Sequence, residues 1–215
     1  MSGGTIAIVP VKRLAAAKSR LAGTLTAAER AELVLGCFDR VLGALQTSGR
    51  VNRCLVVTGE AAIHERARRA GADPVDEVAS GAGSPRDHHN QAIETARQVG
   101  LAWAPESLLV VSADLPLLRP EDVRALIARS GTTPGIVIAP DRHGRGTNAL
   151  LLRPPDAIRF QFGVDSYARH RQTAEAAGLP VQVYDAPGTA FDVDVPEDLD
   201  AWNRWPEPSR AGVKG

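Results

Sequence analysis

Leu108-Leu109-Val110-Val111-Ser112-Ala113-Asp114 is the stretch that indicates the fold most directly. Its first four residues are apolar and two of them are β-branched, which is typical of a strand buried on both faces of a parallel sheet. Asp114 follows this run and would stand at one edge of the sheet. Ligands of open α/β sheets bind at such edges, so the stretch predicts a central strand and a candidate functional carboxylate.

Similar segments continue on both sides of this run, and strand-like and helix-like patterns alternate along the chain. Short apolar runs predict further strands at 5–11, 54–58, 136–139, 149–152 and 181–184. Helical spacing and capping signals predict helices from Thr26, at 61–70, at 90–99, from Pro120, at 166–177 and at 196–202. The alternation predicts a single α/β domain with a mixed, mainly parallel sheet flanked by helices.

Composition and charge limit the classes of function. The 215 residues carry 25 basic and 25 acidic side chains, so the formal net charge is zero and no nucleic-acid-binding or membrane-binding face is expected. The sequence shows neither a signal-peptide pattern nor an apolar run of membrane-spanning length. Cys37 and Cys54 have no metal-binding spacing and are expected to be reduced core thiols. We therefore expect a cytoplasmic protein, with one domain over 1–205 and a flexible tail over 206–215.

A basic segment follows the first predicted strand. Lys12, Lys18 and Arg20 lie in residues 11–21 and could neutralise a triphosphate, since arginine offers a planar fork and lysine a compact charge. A solvated basic turn is the alternative interpretation. The segment lacks the glycine-rich P-loop motif, which argues against that type of phosphate site.

Two acidic segments are candidates for binding a cation. Asp114 follows the central strand, where it could hold Mg²⁺ together with substrate phosphates, or where it could cap a turn. Asp192 and Asp194 alternate, so that on extended backbone both would project to the same side. Two carboxylates on one face repel each other unless a cation lies near them. Asp194 could also cap the last helix.

A polar, glycine-containing segment runs from Gly144 to Ser166. Thr147 lies where this segment leads into a strand, and Gly163 and Ser166 lie just before a predicted helix, whose N-terminus favours an anion. Ser166 could either bond that anion or cap the helix. His170 lies one turn further, where it could add positive charge or lie on the surface.

Taken in order, these segments resemble the 2-phospho-L-lactate and phosphoenolpyruvate guanylyltransferases of deazaflavin coenzyme F(420) biosynthesis. The likeness extends from about Thr5 to Leu199 and rests on Val11-Lys12-Arg13-Leu14, Lys18-Ser19-Arg20, Asp114-Leu115-Pro116, Gly146-Thr147-Asn148, Phe162-Gly163 with Ser166, and Asp192-Val193-Asp194. It implies a Rossmann-like, nucleotide-diphospho-sugar-transferase-like fold. It also implies transfer of GMP from GTP to a phosphorylated three-carbon acid, with release of pyrophosphate.

The resemblance implies roles for individual residues as well. Asp114, Asp192 and Asp194 would hold Mg²⁺. Catalysis would involve Asp114 together with Lys18 and Arg20. The nucleotide would be bound by Lys12, Lys18, Arg20 and Asn90. The phosphorylated acid would be received by Thr147, Gly163 and Ser166. His89 stands where relatives usually have leucine, which is a departure from the family pattern.

Several alternatives stay open at this point. The acceptor could be phosphoenolpyruvate, 2-phospho-L-lactate or 3-phospho-D-glycerate. A nucleotide-sugar-dependent glycosyltransferase would hold its donor with an Asp-x-Asp motif, but here that motif lies near the end of the chain. A molybdenum-cofactor-type guanylyltransferase would need a glycine-rich first loop, and a non-catalytic nucleotide-binding protein is a third alternative. The sequence does not determine the oligomeric state, and a homodimer is one option.

Overall fold

A seven-stranded sheet organises the chain in the computed structural model, which describes residues 3–12, 14, 18–77 and 84–205. In chain order the strands are β1 (Thr5–Pro10), β2 (Val51–Thr58), β3 (Asp73–Asp76), β4 (Ser107–Val111), β5 (Gly135–Pro140), β6 (Thr147–Arg153) and β7 (Val181–Val183). Their order across the sheet is β3-β2-β1-β4-β6-β5-β7, so β4 is the central strand. The sequence prediction of a central strand ending just before Asp114 is confirmed.

The helices cover both faces of the sheet. They are α1 (Ala27–Thr47), α2 (Ala61–Arg69), α3 (Pro85–Leu101), α4 (Pro120–Arg129), α5 (Ser166–Ala176), α6 (Pro187–Ala190) and α7 (Pro196–Asn203), with a 3₁₀ turn at Ser19–Leu21. One face packs on α1, α2 and α4, and the opposite face packs on α3 and α5. Successive strand residues point to opposite faces, and both faces of β4 are buried, which is why its sequence is continuously apolar.

Strand direction determines which residues meet at the functional edge. β1, β2, β3 and β4 pair in parallel, and β5 pairs in parallel with β7. β6 runs antiparallel to both of its neighbours, β4 and β5. The beginning of β6 therefore lies at the same edge as the end of β4. This arrangement confirms the mixed, mainly parallel sheet expected from the sequence.

Most local predictions are confirmed, although the short helix α6 and the 3₁₀ turn were not predicted and further differences concern α3 and β3. Helix α1 begins with the expected capping box, in which the Glu29 backbone N–H donates to Thr26 Oγ1 at 3.3 Å and the Thr26 N–H donates to Glu29 Oε2 at 2.7 Å. Helix α3 begins at Pro85, five residues earlier than predicted, because Ser84 and Asp87 form a second capping box. The short edge strand β3 was not predicted, since it has four residues and contains a proline.

The remaining expectations concern the cysteines, the membrane and the tail. Cys37 and Cys54 are buried and unpaired, as expected. Within the described ranges, none of the helices is long and apolar enough to cross a membrane. The predicted tail at 206–215 lies outside the residues that the structure describes.

Candidate active site

Asp114 stands at the centre of the site. It follows β4, and its Oδ1 accepts a hydrogen bond from Ser112 Oγ at 2.6 Å. Lys18 Nζ lies 2.5 Å from Asp114 Oδ2 and 2.7 Å from Asp194 Oδ1, so one ammonium joins two distant parts of the chain. The Lys18 side chain is 6% exposed. The basic first loop and both acidic segments therefore meet at one place.

Three carboxylates converge around this lysine. One oxygen from each of Asp114, Asp192 and Asp194 lies within 4.8 Å of the others. Three carboxylates against one ammonium leave two negative charges uncompensated, which a divalent cation would balance. Carboxylate oxygens are the ligands that Mg²⁺ prefers, and this donor set fits that ion. The predicted convergence of these residues is confirmed, whereas the bound ion stays a prediction.

The pKa values in the cluster reflect this crowding of charge. Burial and then the negative charges of Asp114 and Asp194 raise the pKa of Asp192 to about 6. Burial opposes ionisation of Asp114, but the Lys18 charge and its hydrogen bond lower the pKa of Asp114. Burial likewise opposes the charged form of Lys18, and the two ion pairs outweigh it and raise its pKa. The repulsion among the three carboxylates therefore acts mainly on Asp192, whose pKa it raises.

The segment that carries Asp192 and Asp194 belongs to no strand, although its side chains alternate as predicted. Val193 is fully buried among core residues that include Leu21 and Leu117, so the two flanking carboxylates turn towards the site. The Asp198 carboxylate accepts hydrogen bonds from the backbone N–H groups of Asp194, at 2.8 Å, and of Val195, at 3.0 Å. Asp198 therefore fixes the backbone that presents Asp194.

The hairpin between β5 and β6 holds this acidic segment from the other side. Arg142 pairs with Asp198 through its guanidinium and donates its backbone N–H to the Ala190 carbonyl at 3.0 Å. The Asn148 side chain donates through Nδ2 to the Thr189 backbone carbonyl at 3.0 Å. The backbone carbonyl of Asn148 accepts a hydrogen bond from the Ser112 N–H at 2.8 Å. Sequence reasoning missed Arg142 and Asp198 as functional residues. Their spacing of 56 residues gives no local signal, and only the fold brings them together.

The predicted acceptor residues lie around the start of α5. The helix begins at Ser166, its N-cap is Asp165 with φ 55°, and no side chain caps it. Of the two roles proposed for Ser166, capping is therefore excluded. Gly163 has φ +119°, in the region that favours glycine, and Ser166 is 2% exposed. Contact of Thr147, Gly163 and Ser166 with the phosphorylated acid stays a prediction.

His170 differs from both sequence expectations. It is fully buried, and burial lowers its pKa to about 4, so it neither lies on the surface nor adds positive charge. The reason is helical spacing, because His170 lies four residues after the buried Ser166 and shares its inward face. Its ring contacts Phe162 edge-on, with centroids 4.8 Å apart.

In the structure, the Asn90 side chain holds the backbone of Phe162 in place. Its side chain donates to the Phe162 carbonyl at 3.0 Å and accepts from the Phe162 N–H at 2.9 Å. His89 packs its ring against the edge of Phe162, and burial followed by the Lys12 charge lowers its pKa to about 4. The His89 ring thus makes a packing contact at the position where the resemblance implies a leucine. A contact of Asn90 with the nucleotide stays a prediction.

The three predicted phosphate-binding cations lie at different places. Lys12 and Arg20 are exposed at the end of β1 and in the 3₁₀ turn. Lys18 lies within the carboxylate cluster, with its ammonium bound to Asp114 and Asp194. The contacts of all three with GTP phosphates stay predictions.

The fold is shared with solved nucleotidyl transferases and nucleotide-diphospho-sugar transferases. A nucleotidyl transferase from Methanothermobacter thermautotroptrophicus has a similar structure, with a TM-score of 0.66 and 14% identity over 93% of this chain and 95% of the other. The nucleotide-diphospho-sugar-transferase-like fold predicted from the sequence is confirmed. Residues 5–202 match the family described as guanylyl transferase CofC like, and the chain belongs to that family.

Two relatives show how far the similarity extends. The phosphoenolpyruvate guanylyltransferase of Conexibacter woesei is 43% identical over 210 residues, covering 97% of this chain and 92% of the relative. The phosphoenolpyruvate guanylyltransferase of Sphaerobacter thermophilus is 42% identical over 196 residues, covering 91% of each. The resemblance stated from the sequence motifs is thereby confirmed.

Proposed function

We propose that this chain transfers GMP from GTP to phosphoenolpyruvate, with release of pyrophosphate, as a step in coenzyme F(420) biosynthesis. Membership of the guanylyl transferase CofC like family supports the transfer of GMP. The names of the similar relatives support phosphoenolpyruvate as the acceptor. The observation that carries the proposal is the convergence of Asp114, Asp192 and Asp194 at the sheet edge.

The chemistry explains why this set of side chains suits the reaction. An acceptor phosphate is already a nucleophile at neutral pH, so the obstacles are repulsion between anions and their alignment. Mg²⁺ held by the three carboxylates would supply positive charge next to the α-phosphate of GTP. Lys18 adds a fixed positive charge beside those carboxylates. We propose that Lys12, Lys18, Arg20 and Asn90 bind the nucleotide.

The acceptor would lie near the start of α5. Thr147 and Ser166 offer hydroxyl groups there, and the helix N-terminus favours an anion. Gly163 allows the backbone to approach that anion closely. A cytoplasmic location and a homodimer remain expectations from the sequence.

A side-by-side assay of the three candidate acceptors tests this proposal. The purified full chain is incubated with GTP, Mg²⁺ and phosphoenolpyruvate, 2-phospho-L-lactate or 3-phospho-D-glycerate, and both pyrophosphate and the mass of the GMP adduct are measured. We expect the highest kcat/KM with phosphoenolpyruvate, and loss of turnover on chelation with recovery on adding Mg²⁺. A higher value with another acceptor would correct the substrate alone. Absence of pyrophosphate with all three would refute the proposed function.

A further inference from the structure

A β-bulge aims Thr147 at the side of the sheet that carries α5. Pro140 pairs with Thr147 and Ala139 pairs with Ala149, so Asn148 is the extra residue and the register shifts there. Without the bulge, Thr147 would share a face with Ala149, which packs on the α1 side. Instead, the Thr147 hydroxyl lies 3.0 Å from Nδ1 of His170 on α5. Bulges commonly redirect a side chain in this way next to functional sites.

The second nitrogen of His170 fixes the position of its proton. The Gln161 backbone N–H donates to His170 Nε2 at 2.9 Å. A backbone N–H can only donate, so Nε2 carries no hydrogen. The neutral ring has one N–H, which must then be on Nδ1, and the lowered pKa agrees with a neutral ring. The ring therefore donates to Thr147.

This arrangement leaves the Thr147 hydroxyl hydrogen unused. The hydroxyl oxygen accepts from His170, so its own hydrogen must point elsewhere. Across the residues that the structure describes, the contact with His170 is the only hydrogen bond shown for the Thr147 side chain. Thr147 is 8% exposed, and a nearly buried donor without an acceptor is unfavourable. Its natural partner is an oxygen atom of a bound anion.

We infer that His170 is a positioning residue that holds the Thr147 hydroxyl as a hydrogen-bond donor towards the phosphorylated acceptor. The inference rests on the proposed function, because the acceptor is the ligand expected at the start of α5. His170 itself does not touch the acceptor, since it lies behind Thr147 and is fully buried. A histidine with only a packing role would affect the KM values for GTP and for the acceptor alike.

Two substitutions separate the two hydrogen bonds of His170. In His170→Asn the amide nitrogen can replace Nδ1 and donate to Thr147, while the Gln161 N–H loses its acceptor. In His170→Gln the amide oxygen can replace Nε2 and accept from Gln161, while Thr147 loses its donor. Both changes remove a buried hydrogen bond, so a purely structural role predicts similar kinetics for both. The two variants are therefore matched controls for each other.

We expect His170→Gln to raise the acceptor KM about tenfold or more, with the GTP KM unchanged, because a hydrogen bond to a charged group is lost. His170→Asn should stay within about threefold of the unaltered chain. Thr147→Val should raise the acceptor KM at least as much, and His170→Gln should add nothing further in that background. Equal effects of both His170 variants, or additive effects with Thr147→Val, would overturn the inference.

The tautomer can be measured without turnover, which separates this inference from the proposed function. Long-range ¹H–¹⁵N correlation of the full chain, labelled in its histidines, reports which nitrogen of His170 carries the proton. We expect a protonated Nδ1 and an unprotonated Nε2. A protonated Nε2 would refute the positioning role even in an active enzyme. If the unaltered chain turns over none of the three acceptors, the proposed function fails and the acceptor role of His170 fails with it.

Discussion

At the scale of single residues, the site is a balance of charge. Lys18 places one ammonium between Asp114 and Asp194, and Asp192 is left with the repulsion of both. Lys18 also has φ 52°, in the left-handed region that non-glycine residues rarely adopt. Such backbone strain is found where the surrounding contacts hold a residue in place, and here the two ion pairs do so.

Replacing Lys18 by methionine tests this balance of charge. Lys18→Met keeps most of the apolar stem but leaves three carboxylates without their ammonium. We expect turnover to fall at least about tenfold, since the variant loses the fixed positive charge that we propose faces the GTP phosphates. We also expect Mg²⁺ to raise the Tm of the variant more than that of the unaltered chain, because the ion replaces the missing charge. An equal Mg²⁺ effect on both Tm values would contradict this account.

Two histidines with lowered pKa values predict how stability depends on pH. His170 and His89 have pKa values of about 4, below the value of roughly 6.5 expected in the unfolded chain. The unfolded chain therefore binds protons more readily, and stability present above pH 6.5 is lost as the pH falls towards 4. For His170 alone this loss is about 2 kcal/mol between pH 7 and pH 5. Urea unfolding at both pH values should show a smaller loss for His170→Asn, and an equal loss would contradict the assignment.

At the scale of elements, the β5–β6 hairpin holds the segment 189–194 in place, and we call the contacts made by Arg142, Asn148 and Asp198 the clamp. Arg142 and Asn148 hold the backbone at 189–190, and Asp198 holds the backbone of Asp194. The carbonyl of Asn148 also binds Ser112, which contacts Asp114. The hairpin therefore links the end of β4, which carries Asp114, to the segment that carries Asp192 and Asp194.

Substitution of Asp198 tests the clamp. Asp198→Asn keeps the size of the side chain but weakens its two backbone contacts and its ion pair with Arg142. We expect Mn²⁺ affinity and turnover to fall about tenfold, because the backbone that presents Asp194 is less well fixed. Asp200→Asn is the matched control, since Asp200 is exposed on the same helix. Calorimetric Mn²⁺ titration and a kinetic assay of both variants check this, and equal affinities would argue against the clamp.

At the scale of the whole molecule, the sequence predicted what local patterns and order along the chain encode. The apolar run before Asp114 identified the central strand, and the motifs identified the acidic residues that the fold brings together. The clamp and the His170–Thr147 contact were not predictable, because they join residues 56 and 23 positions apart. The bulge at Asn148 also reverses the face on which Thr147 lies, which a pattern of period two cannot show.

Binding of a divalent cation is the measurement that tests the central claim most directly. Mn²⁺, a paramagnetic substitute for Mg²⁺, is titrated by electron paramagnetic resonance into the unaltered chain, into Asp114→Asn and into the control Asp156→Asn, which changes an exposed carboxylate. If Asp114, Asp192 and Asp194 form one metal site, Asp114→Asn should weaken Mn²⁺ binding at least about tenfold and the control should not. Equal Mn²⁺ affinity in all three proteins would contradict the account.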